Sequence, residues 1–222
     1  MGHDIDLKAA DGHKLSAWRA DPAGTPRGGL VVIQEIFGVN AHIRAVADGF
    51  ARDGYSVVAP ALFDRVERGV DLDYSPESIA RGRDIRGKVG WDEALADIAA
   101  AVAVFKGAKV AAIGYCWGGS LAWLAATRLS GISASVCYYG GQIAQFRDEA
   151  PKCPVLMHFG SEDKSIPATD IDAIRAARPG VPIHVYPGAG HGFSCDHRGS
   201  YDPSSAALAR TRTLEFLAAM MG

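Results

Sequence analysis

Short continuous runs of apolar residues recur along the chain, and stretches with helical periodicity separate most of them. The clearest runs cover residues 30–33, 55–59, 110–113, 135–139, 155–159 and 183–186. Runs of this length that are rich in β-branched residues are typical of strands buried on both faces of a sheet. Strands that alternate with helices predict an α/β fold with a mostly parallel central sheet and helices on both faces.

Two further patterns mark the ends of the chain. Residues 5–8 and 14–19 flank Asp11-Gly12 and predict an N-terminal antiparallel hairpin. Asp202-Pro203 has the residue types of a helix start, an N-cap followed by proline in the first turn. The last helix is therefore predicted to begin there and to bury its leucines, Leu208, Leu214 and Leu217.

The clearest helix lies in the middle of the chain. Apolar residues spaced by four, three, four and three run from Trp91 to Phe105 and form one stripe. Lys106-Gly107 is a fitting C-terminal stop. Residues 65–88, just before this helix, are charged and contain several glycines, which indicates a surface excursion or partial cap. No linker divides the chain, so we expect residues 1–222 to form a single α/β domain.

Composition and charge exclude several classes of protein. The 222 residues are 48% hydrophobic and 22% charged, with a net charge of −2, which is ordinary for a globular protein and gives no basic excess for nucleic acid. The longest apolar run is half the length of a membrane span. The first residues lack the regions of a signal peptide. We therefore expect no nucleic acid or membrane partner and a cytoplasmic location with reduced thiols.

One cysteine stands in a turn with a known chemical use. Gly114-Tyr115-Cys116-Trp117-Gly118-Gly119 follows the run 110–113 and precedes an apolar helix. This is the G-x-S-x-G nucleophile elbow with cysteine in place of serine. The elbow needs small neighbours, and a helix that starts after Cys116 favours the thiolate. The alternative is an inert cysteine that only fills space in a glycine-flanked turn.

An acid and a histidine follow Cys116 in the chain order that the α/β-hydrolase fold requires. Asp163 comes directly after the run 155–159, with Glu162 as a second candidate, and His191 follows the run 183–186. Both stand where parallel strands end, and ligands bind at that edge of such sheets. Cys116, Asp163 and His191 are therefore the predicted catalytic triad.

These motifs resemble one family along nearly the whole chain. The segments QEIFGVN (residues 34–40), GYCWGG (114–119), YYG (138–140) and GHGF (190–193) are similar to those of dienelactone hydrolase (carboxymethylenebutenolidase). The resemblance implies that Glu35 holds the resting thiol and takes its proton when the substrate carboxylate disturbs the site. It also implies an oxyanion hole formed by the backbone N–H groups of Ile36 and Trp117.

The substrate contacts match the family less closely. Arg81 or Arg83 corresponds to one of the two family arginines that anchor a substrate carboxylate, and Phe37 is a further candidate for substrate contact. The second family arginine lies four residues after the histidine, where this chain has Cys195. Arg198 is near but out of register.

The resemblance predicts hydrolysis of an enol lactone or activated ester through a Cys116 thiolate and an acyl-enzyme, with a small-molecule substrate and no cofactor. The alternatives are a broader cysteine esterase or lactonase and a non-catalytic redox sensor. A zinc site formed by His191, Cys195 and His197 lacks a fourth ligand, so we expect no metal. We expect a monomer or weak dimer.

Overall fold

The computed structural model describes residues 2–221. Within them lie eight strands: β1 (His3–Lys8), β2 (Lys14–Ala20), β3 (Gly29–Ile33), β4 (Ser56–Pro60), β5 (Val110–Tyr115), β6 (Ala134–Tyr138), β7 (Val155–Gly160) and β8 (Ile183–Tyr186). They form one sheet in the order β1-β2-β4-β3-β5-β6-β7-β8. The pairs β1–β2 and β2–β4 are antiparallel and the other pairs are parallel. The predicted hairpin and the mostly parallel sheet are confirmed.

Helices connect most of these strands. Over the same residues there are six α-helices: α1 (Ala41–Arg52), α2 (Pro76–Lys88), α3 (Trp91–Ala103), α4 (Trp117–Arg128), α5 (Ala168–Ala177) and α6 (Pro203–Met221). Strands β3 to β7 are buried along their whole length, because helices and loops cover both faces of the central sheet. No helix among the described residues is long and apolar enough to cross a membrane.

The predicted central helix corresponds to α3. Leu95 and Ile98 of its apolar stripe are buried against the sheet. The helix ends at Ala103, and Lys106 and Gly107 beyond it have φ angles of 40° and 88°. The helix is therefore shorter than the apolar stripe, since Phe105 lies beyond its end, and the left-handed residues of the predicted stop follow in the next turn.

Helix α6 begins as predicted, but the prediction that Leu208 is buried was wrong. The Asp202 carboxylate accepts a hydrogen bond from the Ser205 N–H at 2.7 Å, which caps the helix. Leu208, however, is 46% exposed. The buried face consists of residues spaced by four and mostly small: Ser205, Ala209, Thr213 and Leu217. The leucine positions predicted the wrong face. The small residues face the sheet instead, because they allow the helix to lie close to it.

The excursion of residues 65–88 contains α2 and lies over the loop after β3. A Cβ atom added at Gly82 would be 2.0 Å from the carbonyl oxygen of Ile36, so the backbone of α2 rests directly on this loop. Gly38 in the same loop forms a bridge with Asp71 and has a φ of 79°. The excursion is therefore a cover over the end of β3.

Candidate active site

Cys116 lies in a strained turn between β5 and α4. Its φ is 56° and its ψ is −116°, a backbone conformation that costs a non-glycine residue roughly 1–3 kcal/mol. The turn is held from outside, since the Cys116 N–H donates to the carbonyl of Tyr138 at 3.0 Å. A Cβ at Gly114 would lie 1.8 Å from the Gly118 oxygen, and one at Gly118 would lie 2.4 Å from the Ile33 oxygen. Both glycines are needed for this geometry.

The structure brings Cys116, His191 and Asp163 into one line. Nε2 of His191 is 3.1 Å from Sγ of Cys116, and Nδ1 is 2.7 Å from Oδ2 of Asp163. The other oxygen of Asp163 accepts the Ser165 N–H at 2.8 Å. Asp163 is buried, whereas Glu162 is exposed and contributes only a backbone hydrogen bond to this region. The geometry therefore selects Asp163 between the two acids.

The surroundings of His191 favour its charged form. Burial opposes protonation of the ring, but the negative charge of Cys116 and the hydrogen bond to Asp163 raise the pKa of His191 to about 10. The ring also lies edge-on to Tyr139 at 5.2 Å, and the His191 carbonyl accepts the Ser200 hydroxyl at 2.7 Å. The imidazole is therefore fixed in position and suited to carry a proton beside sulfur.

Glu35 is buried where β3 ends, and two side chains hold its carboxylate. The hydroxyl of Tyr74 donates to Oε2 at 3.1 Å, and Nη1 of Arg198 donates to Oε1 at 3.0 Å. Asn40 in turn donates to the Tyr74 hydroxyl at 3.2 Å. Among the described residues, the side-chain partners of this carboxylate are Tyr74 and Arg198, and the Cys116 thiol instead faces His191.

Arg198 reaches the site although sequence register argued against it. Burial opposes its charge, but Glu35 and Cys116 raise the pKa of Arg198 above its usual value. Successive turns explain the error: the Cys195 N–H donates to the Gly192 carbonyl, and the Arg198 N–H donates to the Cys195 carbonyl. The coiled segment brings Arg198 back over Glu35, so counting residues after His191 does not give its position.

The arginines predicted from α2 point elsewhere. Arg81 is about half exposed and forms an ion pair with Glu67, and Arg83 is exposed. Arg86, one turn further along α2, is half-buried over the Trp91 ring. Burial lowers the pKa of Arg86, and the negative charge of Cys116 opposes that shift. Sequence reasoning missed Arg86, although one helical turn separates it from the predicted pair.

The remaining predicted residues lie around this centre. Phe37 is buried, with its ring 4.5 Å from that of Tyr74 and 5.7 Å from the guanidinium carbon of Arg198. The Trp117 side chain is buried and stacks on Phe63. The backbone N–H groups of Ile36 and Trp117 donate to no acceptor within the part of the chain that the structure describes.

The cysteine and histidine candidates for zinc do not meet at His191. Cys195 is buried, and burial together with the charge of Glu35 raises its pKa to about 11, which keeps it a neutral thiol. His197 lies instead beside His42 and Asp196.

The chain is similar to known proteins over most of its length. The sequence profile of the dienelactone hydrolase family matches residues 15–221. The chain belongs to the dienelactone hydrolase family. Carboxymethylenebutenolidases of Pseudomonas putida and Pseudomonas knackmussii are each 34% identical over 229 residues, which cover 96% of this chain and 95% of theirs. Like them, the chain is a carboxylic ester hydrolase that acts on a small-molecule ester or lactone.

Solved structures of the same fold include family members and more distant esterases. A provisionally assigned dienelactone hydrolase of Klebsiella pneumoniae is 28% identical, with a TM-score of 0.85 over 97% of this chain and 99% of its own. An esterase of Pyrococcus furiosus is 16% identical, with a TM-score of 0.72 over 100% of this chain and 93% of its own. The second likeness shows the α/β-hydrolase fold alone.

Proposed function

We propose that this dienelactone hydrolase family member cleaves an enol lactone through a Cys116 thiolate and an acyl-enzyme. The observation that carries the proposal is the hydrogen-bonded line from Asp163 through His191 to Cys116, with separations of 2.7 Å and 3.1 Å. In such a line the carboxylate orients the ring, and the ring accepts the proton of the nucleophile. The residues thus have the geometry of a nucleophile, a general base and its orienting acid.

The first step is proton transfer from Sγ of Cys116 to Nε2 of His191. The raised pKa of His191 favours this product, because the imidazolium stabilises the thiolate beside it. Cys116 also stands directly before the twelve-residue helix α4, whose N-terminal dipole favours negative charge. The thiolate then attacks the lactone carbonyl, and a carbon–sulfur bond forms.

The attack places negative charge on the former carbonyl oxygen. We assign its stabilisation to the backbone N–H groups of Ile36 and Trp117, which follow β3 and Cys116. Support comes from their free donor capacity and from the close contact of Gly118 with the carbonyl oxygens of Ile33 and Gln34, which brings the two segments together. Loss of one such donor typically slows an enzyme about 100- to 1,000-fold.

Collapse of the tetrahedral adduct breaks the ring C–O bond and releases an enolate that stays attached to the acyl group. A thiolate leaves more readily than an alkoxide, so an adduct with a plain alkyl ester returns to substrate, whereas an enolate departs. The enolate gains a proton, and water activated by His191 or by the enolate adds to the thioester. The C–S bond then breaks and regenerates the thiolate.

The substrate carboxylate would bind at Arg198, with Arg86, whose guanidinium feels the negative charge of Cys116, as a second positive charge near the site. Arg198 is already engaged by Glu35 at 3.0 Å, so an incoming carboxylate competes with Glu35 for the same guanidinium. The thiol proton still goes to His191, which is the group that faces the sulfur. Glu35 acts here only through Arg198, by holding the guanidinium in place until the substrate carboxylate replaces it.

Mass spectrometry of the protein mixed with a dienelactone tests the proposal. We expect a transient mass increase equal to the acyl group on wild type and none on Cys116→Ala. We also expect kcat/KM to be far higher for the dienelactone than for p-nitrophenyl butyrate, and higher for p-nitrophenyl acetate than for ethyl acetate. An adduct that persists on Cys116→Ala would exclude the mechanism. Preference for the butyrate ester would instead indicate a broad esterase.

A further inference from the structure

Three potential metal ligands meet beside α1, away from the triad. Nδ1 of His42 is 3.2 Å from Oδ1 of Asp196, and Nε2 of His197 is 3.8 Å from the same oxygen. One ligand atom from each of the three residues lies within 4.8 Å of the others. His42 comes from α1, and the other two come from the turns after β8. Two distant parts of the chain therefore contribute to the cluster.

These separations fit a shared cation. Ligand atoms bound about 2.1 Å from a tetrahedral metal ion lie about 3.4 Å from one another, and the two observed separations of 3.2 Å and 3.8 Å fall on either side of that value. Small side-chain rotations of Asp196 and His197 would complete the site, since these side chains are 64% and 48% exposed.

His42 is the buried member of the cluster. Its side chain is only 5% exposed, and Nδ1, the ring nitrogen that faces Asp196, is the atom that would bind the ion. The Tyr74 ring lies 6.5 Å from the His42 ring and 6.2 Å from the His197 ring. The cluster thus has one buried anchor, an aromatic neighbour and two ligands open to solvent.

The ligand set indicates which ions would bind. Two imidazoles and one carboxylate suit Zn²⁺ and related transition metals, whereas Mg²⁺ and Ca²⁺ prefer oxygen ligands alone. Three protein ligands leave room for water as the fourth ligand. A cavity of about 400 Å³ bordered by His42 and Asp196 lies alongside and provides access.

We propose that His42, Asp196 and His197 bind a divalent transition-metal ion of the Zn²⁺ class, which ties α1 to the turns that carry Arg198. Arg198 follows His197 directly and donates to Glu35 at 3.0 Å. An ion on the preceding two residues would therefore hold this arginine over the carboxylate. The role is structural and separate from the bond-breaking steps.

Calorimetric titration of untagged, chelator-treated protein with ZnCl₂ tests the site. Because thiolates also bind Zn²⁺, the titration is repeated on Cys116→Ser, which removes the triad sulfur. We expect one equivalent to bind in both backgrounds, His197→Ala to weaken binding at least about tenfold, and Mg²⁺ to give no heat of binding. A hundredfold excess of Zn²⁺ over Kd should raise Tm by roughly 5 °C, and not in His197→Ala.

His3→Ala is the matched control, because His3 is an exposed histidine outside the cluster. Its isotherm should match that of wild type. The proposal is overturned if His197→Ala binds Zn²⁺ as tightly as wild type, if no heat is observed, or if Cys116→Ser alone abolishes binding. His197 is exposed, so its replacement tests the site without opening the core. Circular dichroism of the variant verifies that it is folded.

Discussion

Arg198 and Glu35 form a largely buried ion pair that joins the turns after β8 to the end of β3. The two residues are 163 positions apart, and their side chains are 18% and 1% exposed. A buried pair of this kind contributes little beyond the cost of desolvating both charges, but removal of one partner leaves the other charge stranded. The pair therefore holds an arginine close to the sulfur. Replacement of either partner should lower the free energy of unfolding, because the remaining charge has no partner.

Replacement of Arg198 should separate binding of the substrate carboxylate from chemistry. In Arg198→Met we expect kcat/KM for an anionic dienelactone to fall about 100-fold or more, mainly through KM, because a desolvated charge pair is lost. Neutral p-nitrophenyl acetate should lose much less. Steady-state kinetics on both substrates measures the difference. Equal losses on the two substrates would contradict the assignment.

Arg81→Ala is the control for that experiment. Arg81 is exposed and paired with Glu67, so its removal should change kcat/KM by less than about twofold, in line with the small energies of surface ion pairs. A loss comparable to that of Arg198→Met would return the anchoring role to Arg81.

The double variant Arg198→Met with Glu35→Gln should recover stability relative to Arg198→Met alone, since no unpaired charge remains.

A methyl group at Gly114 should be far more damaging than one at Gly87. The added Cβ at Gly114 would meet the Gly118 backbone at 1.8 Å, whereas at Gly87 it would meet nothing within 4 Å. We expect Gly114→Ala to lose about 4 kcal/mol or more of unfolding free energy, or not to fold. Gly87→Ala, on helix α2, should gain roughly 0.5–1 kcal/mol. Urea unfolding measures both, and similar values would refute the elbow packing.

The protonation of His191 should depend on Cys116. Its pKa is raised from 6.5 to about 10, so the ring should remain charged through neutral pH. The stability gained from this shift is complete below about pH 6.5 and is lost as the pH rises through about 10. NMR titration of ¹⁵N-labelled histidine should show a lower His191 pKa in Cys116→Ala. An unchanged His191 pKa in Cys116→Ala would mean that the negative charge of Cys116 does not stabilise the protonated ring.

His158 should make the protein sensitive to acid. It is buried between Tyr186 and Thr213, at 2.8 Å and 3.1 Å, and burial lowers its pKa from 6.5 to about 3. Stability should therefore be full above about pH 6.5 and decline as the pH falls toward 3. The slope of urea-unfolding free energy against pH should be smaller in His158→Gln. His3→Gln, at an exposed position, should keep the wild-type slope.

The sheet and the hydrogen-bonded line from Asp163 through His191 to Cys116 could be predicted from sequence for a physical reason. Buried parallel strands need continuous apolar runs, and the elbow around Cys116 needs glycine on both sides, so both leave strong local patterns. The order of Cys116, Asp163 and His191 along the chain then follows from the topology of the fold. Even the choice between Asp163 and Glu162, however, required the positions of the carboxylates.

The arginines show where sequence reasoning stopped. Arg198 depends on two consecutive turns after His191 that shorten the path, and Arg86 depends on how far α2 is rotated about its axis. Neither is encoded by local spacing. The same limit applies to α6, where Leu208 faces solvent and Thr213 faces the sheet: a helix surface rich in small residues gives little periodic signal about which side approaches its neighbour.

The bare contact between Gly82 and the Ile36 carbonyl has a consequence for how this enzyme could acquire new substrates. Gly82 has no side chain that could absorb a change in spacing at this contact. Any mutation that tilts or lifts the cover helix therefore also displaces the peptide that carries the proposed oxyanion donor. A change that widens the site for larger substrates would therefore also disturb stabilisation of the oxyanion. A variant that accepts bulkier molecules should show a slower acylation step.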